Sequence, residues 1–107
     1  MKKKLRFSIC IPNYNAGKYL NETIDSVLNQ TYPCHELIIS DNASTDNSIE
    51  VIKSYSSKKI KLIEHSYNIG FSHNLDSATS PATGDYMMFL GADDMLKQDA
   101  LEEFARL

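Results

Sequence analysis

The chain has 107 residues, 42% of them hydrophobic and 23% charged, which suits one domain around a single core and leaves no length for a second. Its formal net charge of −3 gives no argument for nucleic acid or an anionic membrane surface as the main partner. No run approaches the roughly 18 apolar residues that a bilayer span needs, and the lysine-rich start lacks the apolar core of a secretion signal.

The basic run Lys2-Lys3-Lys4 with Arg6 reads as a solvated terminus rather than a lipid-binding patch. Leu5-Arg6-Phe7-Ser8-Ile9-Cys10-Ile11 is an apolar run stopped by Pro12, which predicts a first strand. Over residues 18–30 the apolar side chains Leu20, Ile24, Val27 and Leu28 fall on one face of a 3.6-residue period, and Thr31-Tyr32-Pro33 ends that helix. Glu36-Leu37-Ile38-Ile39-Ser40 predicts the second strand, followed by a polar loop from Asp41 to Asn47. Asn47 with Glu50 resembles a capping box opening a second helix, with Ile49, Ile52 and Tyr55 on its inner face.

Ile60-Lys61-Leu62-Ile63 predicts a third strand. Asn68-Ile69-Gly70 leads into a shorter helix carrying Phe71, Leu75 and Ala78, and Ser80-Pro81-Ala82-Thr83-Gly84 turns the chain into a fourth strand over residues 86–90. Ala100, Leu101, Phe104 and Leu107 then repeat with helical spacing, predicting a last helix that runs to the final residue. Alternating strands and helices predict an α/β fold, a three-layer α/β/α arrangement around a mainly parallel, Rossmann-like sheet. No repeat, linker or low-complexity segment interrupts residues 1–107, which read as a single domain.

Cys10 and Cys34 lack CxxC spacing and any ligand-like pairing with the three histidines, so both read as free thiols of a reducing compartment, and the chain as cytoplasmic. His65 and His73 read as surface or partly packed side chains.

Three unusually polar segments each follow directly on a predicted strand: Pro12-Asn13-Tyr14-Asn15, Asp41-Asn42-Ala43-Ser44-Thr45-Asp46 and Asp93-Asp94. In an open parallel sheet, ligands lie in the crevice beyond the carboxyl ends of the strands, so all three segments converge on the edge where a ligand would bind. Each also has a plain structural explanation: a turn with helix entry for residues 41–46, an aromatic lid on the core for Tyr14, and a solvated turn for Asp93-Asp94. Their joint occurrence on one edge weighs against all three.

Hard cations such as Mg²⁺ or Mn²⁺ take oxygen ligands, commonly one or two carboxylates with substrate phosphates completing the shell, and Asp93-Asp94 fits that pattern. Neither a GxGxxG fingerprint nor a Walker A loop follows the first strand, so a diphosphate here needs the metal. Tyr14 can stack on a base whose edge Asp41, Asn42 and Asp46 can read. The expected ligand is a nucleoside diphosphate compound, held by metal at one end and by its base at the other.

The stretches FSICIPNYNAGKYLNETIDSVLNQTYPCHELIISDNASTDNS and NIGFSHNLDSATSPATGDYMMFLGADD resemble the family 2 inverting nucleotide-sugar glycosyltransferases of the GT-A fold, in order and over nearly the whole chain. The resemblance implies that Pro12 and Tyr14 line the nucleotide pocket, that Asp41-Asn42 contacts the base, and that Asp93-Asp94 occupies the place of the DxD-type metal motif. Asp93 would then lie near the ribose and Asp94 would hold the Mg²⁺ or Mn²⁺. Two positions depart from the family pattern: Asn42 stands where many members have a second carboxylate, and Gly91 where an acidic residue often precedes the pair.

The resemblance further implies a UDP- or dTDP-sugar donor, a glycan or lipid-linked acceptor, a role in cell-surface polysaccharide synthesis, and peripheral association of the complete enzyme with the inner membrane face. It places the general base beyond residue 107, so this chain is expected to be the truncated donor-binding half, with no catalytic residue of its own and no transfer alone. The alternative is a non-catalytic nucleotide-binding or interaction module on the same fold, which Asn42 and Gly91 keep open.

Overall fold

The computed structural model describes residues 4–107, so Lys2 and Lys3 of the basic run lie outside the described residues. Eight elements alternate along the chain: β1 (Phe7–Asn13), α1 (Gly17–Leu28), β2 (Glu36–Asp41), α2 (Ser48–Lys53), β3 (Ile60–Glu64), α3 (Phe71–Thr79), β4 (Tyr86–Phe89) and α4 (Ala100–Ala105). The four strands form one sheet in the order β3-β2-β1-β4, and every pairing is parallel. The order reverses between β1 and β4, which makes their carboxyl ends the switch point where an α/β sheet opens a crevice.

β1 and β2 are buried along their whole length and read as continuous apolar runs because both faces of the sheet are covered there. On one face Phe7, Ile9, Ile11, Leu37 and Ile39 pack against Leu20, Ile24 and Val27 of α1, with Ile52 of α2 and Leu101 of α4 closing the cluster. On the other face Cys10 and Ile38 meet Ala78 of α3. The layers are therefore unequal, with three helices on one side and α3 alone on the other. Beyond α3 the edge strand β4 leaves Met87 and Phe89 more than half exposed.

The structure differs from the expected elements in several places. β1 runs past Pro12 to Asn13 rather than stopping at Ile11. Pro12 shares its strand parity with Cys10, whose carbonyl accepts from Leu90, so the missing N–H falls on the β4 side where that strand has already ended, while Pro12 still pairs with Ser40 of β2. The capping box does not form: Asn47 makes no side-chain cap, and Asp46 instead accepts from both the N–H and the hydroxyl of Ser48. α2 ends at Lys53, leaving Tyr55 beyond the helix but packed on the core with its hydroxyl donating to Asp25.

α3 carries Phe71, Leu75 and Ala78 as expected, with Phe71 64% exposed because the face turned to the sheet is that of Asn74 and Ala78. α4 ends at Ala105 instead of reaching the last residue, and Phe104 and Leu107 are exposed. At the amino end, Arg6 is not merely solvated: its guanidinium pairs with Asp85 at 3.3 Å and its N–H donates to the same carboxylate, tying the start of β1 to the start of β4.

At the amino-terminal ends of the strands, Glu36 is 2% exposed and carries a charge. Burial alone would raise its pKa, but hydrogen bonds from the Lys61 ammonium, the Ser8 hydroxyl and the backbone and side chain of Thr83 outweigh it and hold the carboxyl at about 2, down from 4.5. That cluster fixes β1, β2 and β3 to the turn entering β4, at the end of the sheet opposite the polar segments.

Candidate functional site

The loops after β1 and β2 are bound to each other before they offer anything to a ligand. The Asn13 amide nitrogen donates to Asp41 Oδ1 at 2.8 Å, the Asn42 N–H to the Asn13 carbonyl at 2.9 Å, the Asn15 N–H to Ser44 Oγ at 2.9 Å, and the Gly17 N–H to Asp46 Oδ2 at 2.9 Å. The Thr45 N–H in turn donates to Asn15 Oδ1 at 2.7 Å. Asn15 and Ala43 both sit in the left-handed region, with φ of 53° and 60°, a costly backbone for residues other than glycine that the hydrogen bonds around them maintain. A Cβ at Gly17 would lie 3.0 Å from both the Ser48 backbone nitrogen and Asp46 Oδ2, so the loop after β2 packs tightly on the start of α1.

This pairing decides what each expected site residue does. Asp41 is 2% exposed, and both of its oxygens are engaged by Asn13 and by the hydroxyl and N–H of Ser44. Asp46 likewise spends its oxygens on Ser48 and Gly17, and those donors hold its pKa below the ordinary value against the opposing effect of burial. Asn42 is 4% exposed and accepts from the Ile69 N–H through Oδ1 at 2.7 Å, which leaves its Nδ2 as a donor.

Pro12, Tyr14 and Asn42 are brought together in one cleft of about 240 Å³, where Asn68, Phe71 and Asn74 join them from the loop after β3 and from α3. Tyr14 is half exposed at its mouth and does not cap the core. Asn74 is anchored beneath, donating to the Ser40 carbonyl and accepting from its hydroxyl, and the same hydroxyl lies 3.1 Å from His65 Nε2. His65 is therefore a packed, hydrogen-bonded side chain joining β2 and α3 through Ser40 and Ser77.

Asp93 and Asp94 stand apart from that cleft, on the turn that follows β4, where the Asp94 N–H donates to the Gly91 carbonyl at 3.0 Å. Both are exposed. A Cβ added to Gly91 would lie 2.7 Å from Asp94 Oδ2 and 3.2 Å from Asp93 Oδ1, so the two carboxylates converge on the bare backbone of Gly91. Two converging, exposed hard-oxygen donors fit a divalent cation whose other ligands come from phosphate and water. Among the described residues no group of three or more His, Cys, Asp or Glu side chains is placed to hold a metal.

The turn is positioned by residues that pattern-reading passes over. Thr23 Oγ1 donates to the Ala92 carbonyl at 2.8 Å, Ser26 Oγ accepts from the Leu96 N–H at 3.0 Å, and Gln30 bonds both the Lys97 carbonyl and the Leu101 N–H. Thr23, Ser26 and Gln30 form a polar stripe at i, i+3 and i+7 beside the apolar stripe of α1, and that spacing was the signal available in the sequence. Both cysteines are free and buried; burial, reinforced by the charge on Glu36, pushes the Cys10 thiol up to about 11 and disqualifies it as a nucleophile or ligand at neutral pH.

Comparison with known proteins shows the fold and the family. The chain is 36% identical over 95 residues to the Escherichia coli UDP-Glc:alpha-D-GlcNAc-diphosphoundecaprenol beta-1,3-glucosyltransferase WfgD, a match covering 89% of this chain and 38% of that protein. The structure superposes on S. aureus TarS 1–349 in complex with UDP-GlcNAc with a TM-score of 0.88 and 27% identity, covering 95% of this chain and 30% of that one. It also superposes on the mannosyltransferase PcManGT from Pyrobaculum calidifontis in complex with GDP-Man and Mn²⁺, with a TM-score of 0.77 and 26% identity over 88% of this chain and 29% of the other. The chain spans 30–39% of the length of three curated relatives it matches and 14% of a fourth. Residues 8–107 match glycosyl transferase family 2, and the chain belongs to that family.

Proposed function

We propose that this chain supplies the donor and metal site of an inverting glycosyltransferase that moves a sugar from a nucleoside diphosphate to an acceptor hydroxyl. The observation that carries the reading is the placement of Tyr14 and Asn42 beyond β1 and β2, and of the converging Asp93 and Asp94 beyond β4, on the two sides of the sheet's switch point. The base lies at Tyr14 with its edge toward Asn42, while Asp41 keeps the loop in place from below. The ribose follows near Asp93 and the diphosphate reaches Asp94.

A Mg²⁺ or Mn²⁺ held by Asp94 and Asp93 would offset the charge that develops on the departing diphosphate. The Mn²⁺ and GDP-Man bound by PcManGT and the UDP-GlcNAc bound by TarS support a divalent ion and a nucleotide sugar as ligands. Asp93 and Asp94 contribute orientation and charge, and the base that takes the acceptor proton is supplied from outside these residues. UDP- or dTDP-sugars are the donors we favour, and a glycan or lipid-linked acceptor fits the diphosphoundecaprenol substrate named for WfgD. The two free, buried cysteines suit a reducing cytoplasm, with the complete enzyme working at the inner face of the membrane. Among the described residues no helix is long and apolar enough to cross a membrane.

Calorimetric titration with UDP, dTDP, GDP and CMP, with and without Mn²⁺, tests the reading. Metal-dependent binding of one nucleotide diphosphate is expected, weakened at least tenfold in Asp94→Ala, since a charge-assisted clamp contributes about 1.5–3 kcal/mol. Binding that ignores both the metal and Asp94 would sink the proposal.

A further inference from the structure

The two edges of the sheet are built differently. β3 carries Lys61 and Glu64, both exposed and both in ion pairs, and charged side chains on an edge strand discourage a further strand from pairing with it. β4, at the other edge, reads Tyr86-Met87-Met88-Phe89, with neither a charge nor a proline. The N–H groups of Tyr86 and Leu90 donate to the carbonyls of Arg6 and Cys10, so the alternation of a parallel ladder turns the N–H and carbonyl groups of Met87 and Phe89 to the open side.

Apolar side chains flank those backbone groups on both faces of the sheet. Tyr86 is paired with Phe7 and shares its face, on the side of α1 and α4, while Met87 and Phe89 take the face that α3 leaves open. Tyr86, Met87, Phe89 and Phe104 are each about half exposed. A groove of about 320 Å³ follows the same edge between β4 and α4, lined by Leu5, Tyr86, Met88, Phe104 and Leu107 with no charged side chain. Unpaired strand backbone set between apolar surfaces is a template that another strand completes.

We infer that this edge docks a second copy of the chain, the two β4 strands pairing antiparallel about a two-fold axis at Met88. The register singles out that occupant. With Met88 opposite its own counterpart, Met87 of each copy lies opposite Phe89 of the other, and these are the two residues whose backbone groups face outward, so each such pair exchanges both hydrogen bonds. Each pair also sets a thioether beside an aromatic ring. Because the strand is uncharged, no like charges meet across the axis. An aromatic side chain carries about 150–250 Å², so the exposed halves of Tyr86, Phe89 and Phe104 bring roughly 300 Å² per copy before Met87 and Leu107 are added. That is the small end of specific interfaces and sets the dimer in the micromolar range. The pairing does not depend on what binds beyond the carboxyl ends of the strands.

Sedimentation equilibrium of the 107-residue chain is expected to show monomer and dimer exchanging across the micromolar range. Met87→Lys sets an ammonium against the other copy's Phe89 and is expected to weaken the dimer about tenfold. Its melting temperature, taken at a concentration where both proteins are monomeric, stays that of the wild type because residue 87 is exposed. Met88→Cys reports the register: on mild oxidation it forms a disulfide-linked dimer, since non-hydrogen-bonded neighbours across the axis stand about 4.5 Å apart. Phe89→Cys, displaced along the strand from its own counterpart, does not. Cys10 and Cys34 are buried and do not compete. A wild type that stays monomeric overturns the self-pairing and leaves the edge to a strand of another polypeptide. A dimer that survives Met87→Lys, or that cross-links equally through Met88→Cys and Phe89→Cys, overturns it as well, because the contact then lies on another surface or in another register.

Discussion

Asp41 and Asn42 are neighbours with similar side chains, and the hydrogen bonds around them give them opposite roles. Asp41 spends its oxygens on Asn13 and Ser44 and becomes a structural anchor, whereas Asn42 keeps one donor free at the cleft. Ala43, the next residue, pays for this arrangement with a left-handed backbone. Replacing it by glycine removes about 1–2 kcal/mol of strain and gives back about 0.4–1 kcal/mol through the more flexible unfolded chain. Ala43→Gly is therefore expected to stabilise the protein by about 0.5 kcal/mol, which a urea titration beside the wild type would register as a higher midpoint with the same slope. An unchanged or lower midpoint would mean that the loop relieves the strain elsewhere.

At the scale of elements, α1 carries two stripes with separate duties. Leu20, Ile24 and Val27 bury it against the sheet, and Thr23, Ser26 and Gln30 latch the segment from Ala92 to Leu101. Thr23→Val keeps the shape of the side chain but leaves the Ala92 carbonyl, next to Asp93, without its buried donor, at a cost of about 1–2 kcal/mol. The expected signature is selective: nucleoside diphosphate binding in Mn²⁺ weakens several-fold, while binding of the free nucleobase, which does not reach the acidic turn, stays the same. Equal loss for both ligands would show that α1 supports the whole site rather than the turn. The apolar stripe was legible in the sequence because its period is set by burial, but the polar stripe looked like any solvated face, since its partners lie about 70 residues away.

For the whole molecule, the two ends of the sheet have been given different work. The carboxyl ends hold the site, and the amino ends hold the buried Glu36 cluster that joins β1, β2, β3 and the turn into β4. Glu36 has a folded-state pKa near 2, below its ordinary 4.5, so its contribution to stability is complete above about pH 4.5 and is lost as the pH falls toward 2. With Lys61 half exposed, that contribution is on the order of 2 kcal/mol. Denaturant unfolding at pH 6 and pH 3 should show the wild type losing stability that Glu36→Gln does not lose, so that the variant's deficit narrows at the lower pH. Parallel pH profiles for the two proteins would remove Glu36 from the account.

The amino-acid sequence by itself determined the alternation of strands and helices, the parallel sheet, the apolar stripe of α1 and the family, because each is written in local periodicity or in contiguous motifs. It also located the three polar segments on one edge, since strand direction alone sends every βα loop of a parallel sheet to the same side. It misjudged where elements end: Pro12 looked like a stop, and only the position of β4 shows that its missing N–H faces no partner. Which polar groups are free was decided by the tertiary structure alone. Asp41, Asp46 and Asn42 have comparable side chains in sequence, and their availability to a ligand depends on donors contributed by Asn13, Gly17 and Ile69, residues distant in the chain. The exposure of Phe71 was hidden for the same reason: the sequence places it on a helix, and only the packing of Asn74 and Ala78 against the sheet turns it outward to the cleft.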